Sequence, residues 1–262
     1  MKALLIDAGN SKIRVKIWPG VARGNAGSSS RDLDTGPDRE GVEPLEIQAE
    51  FSTSGIVGAD KGIGRVLASL REENGNPQVV LVSVVPAVTK ILKVLWKDLT
   101  VVDHLCNLPF TSLVPDMASV GPDRICNVAA AMTAGLSDAV IVDAGTATTF
   151  DVLSEGVFLG GLIAPGMAFA SRQLGEIAAR LEPVPFVSCP LEPGKDTQSA
   201  MSGGAWHTGI GGVETVIAGL QKDRPGLVVI LTGGLGHHLT APGRILDPDW
   251  TLRGAAQLAG LT

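Results

Sequence analysis

Residues 4–12 read LLIDAGNSK and residues 140–148 read VIVDAGTAT. In both, a short apolar run ends on Asp-Ala-Gly, at Asp7-Ala8-Gly9 and Asp143-Ala144-Gly145, and a small polar residue follows. Each aspartate is expected to close a buried strand, and each glycine to open a tight turn. Such a turn suits a phosphate. Glycine lets backbone N–H groups approach an anion with no Cβ in the way, Asn10, Ser11, Thr146 and Thr148 add donors, and a strand-end carboxylate can hold a metal ion or its water. A single copy is an ordinary strand end in an α/β protein. Two copies with matching flanks predict two similar half-chains whose turns could clamp one nucleotide.

Outward from the first copy, ALLIDAG, KIRVKIW and LEIQAEFSTSG read as a three-stranded meander, the second strand alternating Ile13, Val15 and Ile17 with charged neighbours. The stretch 19–44 interrupts it. Rich in Gly, Ser, Asp and Arg and nearly empty of large apolar groups, that stretch can bury little and is expected to be a mobile hairpin extension. A helix over Lys61 to Glu73, the strand VVLVSVV, a helix over Ala87 to Leu99 and a strand around Val101 complete the half. The second copy repeats the plan, with AVIVDAG, TATTFDVL and VFLGGLIAPG as strands and Met167 to Leu181 as a helix. A long helical stretch from Thr197 to Leu220, the strand LVVILTG and a short helix over Leu252 to Leu261 follow. Gly203, Gly204, Gly209, Gly211 and Gly212 weaken the long stretch as an isolated helix, so either it is broken or something packs closely on it. The division between halves is placed near Pro115, giving domains 1–115 and 116–262.

The chain has 262 residues, 45% of them hydrophobic, which is enough for a real core. A net charge of −6 and no cluster of Lys and Arg with aromatics argue against a nucleic-acid surface. An anionic ligand would have to be held locally by backbone amides, helix N-termini and a bound cation. Cys106, Cys126 and Cys189 are too scattered for a disulfide framework or a metal site and read as buried thiols. His237 and His238 are adjacent, so their side chains are expected to point apart, as surface or loop residues. No signal peptide or membrane span is legible, and a cytoplasmic location is the expectation.

No P-loop, no GxGxxG after the first strand and no kinase-type VAIK or HRD motif is present. What stands beside the two turns is Gly121-Pro122-Asp123-Arg124, immediately before the apolar helix ICNVAAAMTAG. Asp123 could accept orphan N–H groups as a cap. Arg124 in a first helical turn opposes the macrodipole, and a ligand carboxylate beside it would offset that.

In order and spacing, these residues resemble type III pantothenate kinases, of the actin, acetate kinase and sugar kinase superfamily. The shared motifs are D-x-G-N-[ST] at Asp7, Gly9, Asn10 and Ser11, and G-x-D-R at Gly121, Asp123 and Arg124. D-x-G-T-A-T-T-x-D follows at Asp143 to Asp151, then G-G-x-I-x-P-G at Gly160 to Gly166, a threonine before a helix at Thr197, and T-G-G at Thr232, Gly233 and Gly234. The resemblance implies an α/β fold of two similar actin-like (ribonuclease H-like) half-domains, with mixed sheets flanked by helices and a nucleotide cleft between them. It implies ATP-dependent phosphorylation of pantothenate to 4′-phosphopantothenate, the first committed step towards coenzyme A. ATP phosphates would lie against Asp7, Ala8, Gly9, Asn10, Ser11, Lys12, Ile13 and Arg14 and against Thr146, with Gly233 and Gly234 beside the adenosine. Asp7 would orient Mg²⁺ through water, and Asp143 would help to bind a monovalent cation, K⁺ or NH₄⁺. Asp123 would be the general base. Arg124 would hold the pantothenate carboxylate, with Gly121 and Pro122 in the same substrate segment, and Thr197 would contact the substrate's polar backbone. A homodimer is implied as well.

Two departures stand out. Related chains carry a tyrosine shortly before G-x-D-R, where this chain has Leu113 and Val114 and no tyrosine anywhere. The 19–44 insertion is also longer than is usual. A kinase of the same fold for another small hydroxy compound, or a non-catalytic regulatory accessory protein that keeps the nucleotide cleft, are the alternative readings.

Overall fold

The first strand, β1 (Ala3–Ala8), is apolar up to Asp7 because both of its faces are covered. Leu4, Ile6 and Ala8 pack with Leu67, Val88 and Leu92, whereas Ala3 and Leu5 pack with Cys126, Leu252, Ala255 and Ala256. A computed structural model of the chain describes residues 2–20, 44–54, 61–169, 172–173 and 181–261. Most of the 19–44 insertion, and much of the helix expected over Met167 to Leu181, lie outside the described residues.

The chain forms two compact units: Met1–Ser137 with Gly156–Phe158 and Asp249–Thr262, and Asp138–Glu155 with Leu159–Pro248. In the first, β1 forms an antiparallel hairpin with β2 (Lys12–Trp18), and β3 (Glu46–Ser52) extends it. After α1 (Lys61–Glu73) the chain returns as β4 (Gln78–Ser83), parallel to β1. After α2 (Pro86–Leu95) it returns again as β5 (Thr100–Val101), parallel to β4, so the sheet order is β3-β2-β1-β4-β5. β6 (Thr111–Ser112) and α3 (Pro122–Thr133) follow.

The second unit repeats this topology. β7 (Ala139–Ala144), β8 (Ala147–Ser154) and β9 (Val157–Pro165) make the meander, and the first two residues of β9 pair with β6 and belong to the first unit. After α4 (Thr197–Asp223), β10 (Val228–Thr232) runs parallel to β7 and β11 (Arg244–Leu246) parallel to β10. The order β9-β8-β7-β10-β11 therefore matches β3-β2-β1-β4-β5 position for position. The duplication read from the paired turns is a duplicated mixed sheet.

The expected strands are present with shorter ends. VVLVSVV stops at Ser83, whose hydroxyl donates to the Val85 carbonyl at 3.1 Å and turns the chain into α2. The glycine-rich helix α4 is unbroken over 27 residues, begun by a capping box between Asp196 and Ser199. Only Gly209 among its glycines is closely approached, by the Phe186 ring, within 3.0 Å of where a Cβ would lie.

The last helix, α5 (Trp250–Leu258), departs most from the sequence division. It crosses back to the first unit and packs on α3 and over β1 and β4. Lys16, expected among the charged neighbours of an alternating strand, is buried against Asp249. The other Asp249 oxygen accepts the Leu45 N–H at 2.8 Å, and Trp18 Nε1 donates to the Leu261 carbonyl at 3.2 Å. Residues 116–137 pack in the first unit for the same reason, although the division at Pro115 assigns them to the second half.

α3 and α5 touch backbone to backbone. A Cβ on Gly254 would overlap the Cys126 carbonyl, so neither helix can retain its position if a methyl group is added. Gly254→Ala should destabilise the protein by roughly 1–3 kcal/mol in urea unfolding, against the ordinary helix preference for alanine. Gly219→Ala, on α4 with nothing within 4 Å of the new methyl, should be neutral or should stabilise by up to about 1 kcal/mol. Equal responses at the two positions would contradict the close approach.

Candidate functional site

The first turn is fastened through its carbonyls. Gly9 N–H donates to Lys12 O at 3.0 Å, Thr53 Oγ1 donates to Gly9 O at 2.6 Å, Thr53 N–H to Ser11 O at 3.1 Å and Val84 N–H to Ala8 O at 3.1 Å. Engaging those acceptors lowers the negative potential that an approaching anion would meet. Thr53, 3% exposed, was not among the expected site residues. Its signal was the hydroxyl-rich FSTSG that ends β3.

Around this turn the expected residues divide by role. Asn10 and Ser11 are exposed, as is Lys12, which pairs with Glu50 at 2.6 Å. An exposed pair of this kind contributes at most about 1 kcal/mol and yields readily to a stronger anion. Ile13 is fully buried in the core, so only its backbone can serve a ligand, and Ala8 is buried likewise. Arg14 lies opposite Asp7 in the β1–β2 register.

The second element of the first unit is the start of α3. Gly121 is the N-cap and Pro122 the first helical residue, so Asp123 sits inside the first turn instead of capping it. Its Oδ1 accepts the Arg124 N–H at 2.8 Å, and its charge suits the positive helix end. Gly121 has φ −57° and ψ 139°, open to any residue, yet a Cβ there would overlap the Asp123 carboxylate. Glycine here provides room for that carboxylate, not backbone freedom.

Arg124, the cation that opposes the macrodipole, places its guanidinium 5.9 Å from the centroid of the buried Phe158 ring. Leu113 N–H donates to the Phe158 carbonyl at 2.9 Å. The segment without tyrosine therefore runs beside the ring that carries Arg124.

These groups share one electrostatic environment. Burial raises the Asp7 pKa from 3.8 to about 6, the Arg14 charge opposes the rise, and the Asp123 charge adds to it. Asp123 is raised by burial too, against the Arg124 N–H and charge. The Cys126 thiol behind them is pushed up by burial and by both carboxylates. Asp7, Arg14, Asp123 and Arg124 are thus brought together within the first unit.

In the second unit three motifs meet. Gly145 N–H donates to Ala147 O at 3.0 Å, making a shorter turn than the first. The end of GGLIAPG reaches it through Gly166 N–H to Thr146 O at 3.1 Å, and TGG through Leu235 N–H to Ala144 O at 3.0 Å. A side chain at Gly166 would overlap the Gly145 and Thr146 carbonyls. At Gly233, where φ is +80°, it would overlap the Asp143 carboxylate and the Ala144 backbone. Gly234 faces open space, and Thr146 is exposed. Thr149, opposite Asp143 in the register, has a buried hydroxyl without a hydrogen-bond partner among the described residues.

Thr197 is the exposed first residue of α4. Neighbouring Ser199 is committed to the capping box: its N–H donates to Asp196 Oδ1 at 2.8 Å, and its hydroxyl accepts from the Asp196 N–H at 3.2 Å. The histidines do not point apart. The rings of His237 and His238 lie 3.8 Å apart, with His238 also against Trp206 and Phe186.

A family model described as type III pantothenate kinase matches residues 3–219. A type III pantothenate kinase of Moorella thermoacetica is 38% identical over 187 residues, covering 67% of this chain and 73% of the relative. One from Acidiphilium cryptum is 32% identical over 269 residues, covering 98% and 93%. Among solved structures, a Campylobacter jejuni protein described as a conserved Baf family transcriptional activator is similar at TM-score 0.56 and 23% identity, covering 98% of this chain and 97% of that one. The ethanolamine utilization protein EutJ of Carboxydothermus hydrogenoformans is similar at TM-score 0.53 and 16% identity, covering 98% and 90%. These structures share the fold, two mixed sheets flanked by helices.

The raised Asp7 pKa has a sign that can be measured. A carboxyl titrating above its unfolded value stabilises the fold below pH 4, and that contribution is lost as pH rises through about 6. Without ligands, Asp7→Asn should therefore be more stable than wild type at pH 7, by roughly 1–3 kcal/mol, with the gap closing towards pH 4. Urea unfolding across that range checks it, and a variant less stable at pH 7 contradicts the burial assigned to Asp7.

Proposed function

The chain belongs to the type III pantothenate kinase family, and on that premise we propose that it transfers the γ-phosphoryl group of ATP to pantothenate, giving 4′-phosphopantothenate and ADP. The observation that carries the residue roles is the place of Asp123 on the first turn of α3, close enough to Asp7 on β1 for its charge to raise that carboxyl, with Arg124 next to it in the turn. Asp123 takes the proton from the primary hydroxyl as that oxygen attacks the γ-phosphorus, and the bond to the leaving ADP oxygen breaks in line. A pKa raised by burial makes its carboxylate a better base than an exposed one. Arg124 binds the acceptor carboxylate, where its rigid donor fork fixes orientation as well as charge. Gly121 and Pro122 shape that segment. Catalysis is then mainly positioning and charge stabilisation.

For ATP, the assigned residues are Asp7 to Arg14 in the first unit and Thr146, Gly233 and Gly234 in the second. Among the described residues no group of three or more His, Cys, Asp or Glu could hold a metal, which fits a cation bound by one carboxylate and the nucleotide's own phosphates. Asp7 supplies that carboxylate for Mg²⁺, through water. Asp143, opposite the Thr149 hydroxyl, which has no partner among the described residues, and given room by Gly233, suits a monovalent cation, K⁺ or NH₄⁺. Such cations supply positive charge that side chains provide sparsely here. Thr197, with Ser199 committed to the cap, is the hydroxyl assigned to the acceptor.

The protein is proposed to act in the cytoplasm as a homodimer. No helix among the described residues is long and apolar enough to cross a membrane. Leu162 and Ile163 on β9 are 47% and 67% exposed, an apolar surface suited to a second copy.

Release of ADP from ATP and Mg²⁺ in the presence of K⁺ should depend on added pantothenate, and Asp123→Asn should reduce turnover by at least about a hundredfold. Turnover indifferent to pantothenate would refute the substrate, and a fully active Asp123→Asn the base. Replacing K⁺ by Na⁺ should lower the rate, and an unchanged rate would remove the role given to Asp143.

A further inference from the structure

α3 carries Asp123 and Arg124 on its first turn, and one turn later it carries Asn127, a fully buried amide. Ile125 and Cys126 are fully buried, Cys126 against Leu5 and Val82, and the residues that follow Asn127, Val128 to Ala131, are small and buried. Polar contacts from α5 add to this packing. Thr251 Oγ1 donates to Asn127 Oδ1 at 2.8 Å, and Trp250 Nε1 donates to the Asn127 carbonyl at 3.0 Å. Gly254 lets the two backbones meet one helical turn further on.

α5 is itself tied to β2 at both ends, through Asp249 to Lys16 and through the Leu261 carbonyl to Trp18. β2 also carries Arg14 opposite Asp7. A continuous set of buried polar contacts therefore runs from the strand of the phosphate turn, through α5, to the helix of the acceptor base. Every member lies within the first unit.

We propose that Thr251, acting through Asn127, is a positioning residue for phosphoryl transfer: its hydroxyl holds α3 at the rotation that aims Asp123 at the acceptor hydroxyl. The inference rests on the assignment of Asp123 as the base. Thr251 touches neither nucleotide nor acceptor. Its removal leaves Asn127 Oδ1 as well as Nδ2 buried without a partner, since Nδ2 already has none among the described residues, and α3 then has reason to turn.

Thr251→Val keeps the shape and removes the hydroxyl, whereas Thr251→Ser keeps the hydroxyl and removes a methyl group. Steady-state kinetics with ATP and pantothenate, at a temperature where all variants are folded, should show kcat lowered about tenfold or more in Thr251→Val, with KM for ATP unchanged, and largely restored in Thr251→Ser. Leu67→Ala, a buried deletion against the opposite face of the sheet, should lower the melting temperature without that loss of kcat. In the double variant Asp123→Asn/Thr251→Val, turnover should be no slower than in Asp123→Asn alone. A normal kcat in Thr251→Val, equal impairment in Thr251→Ser, the same loss in Leu67→Ala, or additive losses in the double variant would each overturn the proposal. Full activity of Asp123→Asn alone would instead overturn the base assignment, whatever Thr251 does.

Discussion

Covering β1 on both faces is the constraint from which the rest of the first unit follows. With α1 and α2 packed on one side and α3 and α5 on the other, the strand has no exposed flank, and its chemistry can emerge only at its carboxyl end. Asp7 stands there. The same covering withholds water from its carboxyl, raises its pKa to about 6 and places it near a second carboxylate that burial also raises. The Asp123 charge adds to the rise at Asp7, and the Arg14 and Arg124 charges oppose the shifts at Asp7 and Asp123 in turn.

The two Asp-Ala-Gly turns share a hairpin and a parallel neighbour strand, yet they are supported differently. The first is held by a hydroxyl from β3 and an amide from the end of β4. The second is reached by backbone bonds, with Gly166 and Gly233 approaching so closely that side chains are excluded. A site fastened by side chains can be tuned by substitution. Where backbone meets backbone this closely, only glycine fits, as at Gly166 and Gly233.

Much of this was legible in the sequence, since strand ends, alternation and glycine punctuation are local signals. The meander of each half, the turn residues, α1 and the start of α3 follow from a few consecutive residues each. What the sequence hid is long-range. Lys16 reads as one of a strand's charged neighbours, and only the arrival of Asp249, 233 positions later, makes its burial tolerable. Thr53 reads as part of a strand tail until its hydroxyl is seen on Gly9. The assignment of residues 116–137 to the first unit depends on α5, whose amphipathic pattern states that it docks but not where. His237 and His238 were read from adjacency alone, and the short helical turn they occupy brings their rings together.

The return of α5 to the first unit also bears on how the protein is made. A nascent chain extended to Pro248 already contains every residue assigned to nucleotide, acceptor and cation. It still lacks the partner of Lys16, the cover over Leu5 and Val82, and the helix against which α3 is set. Folding of the first unit is therefore not a vectorial event completed as its own residues emerge. It requires residues 249–261, which follow the whole second unit in the chain, and Asp123 has its final surroundings only once they have docked.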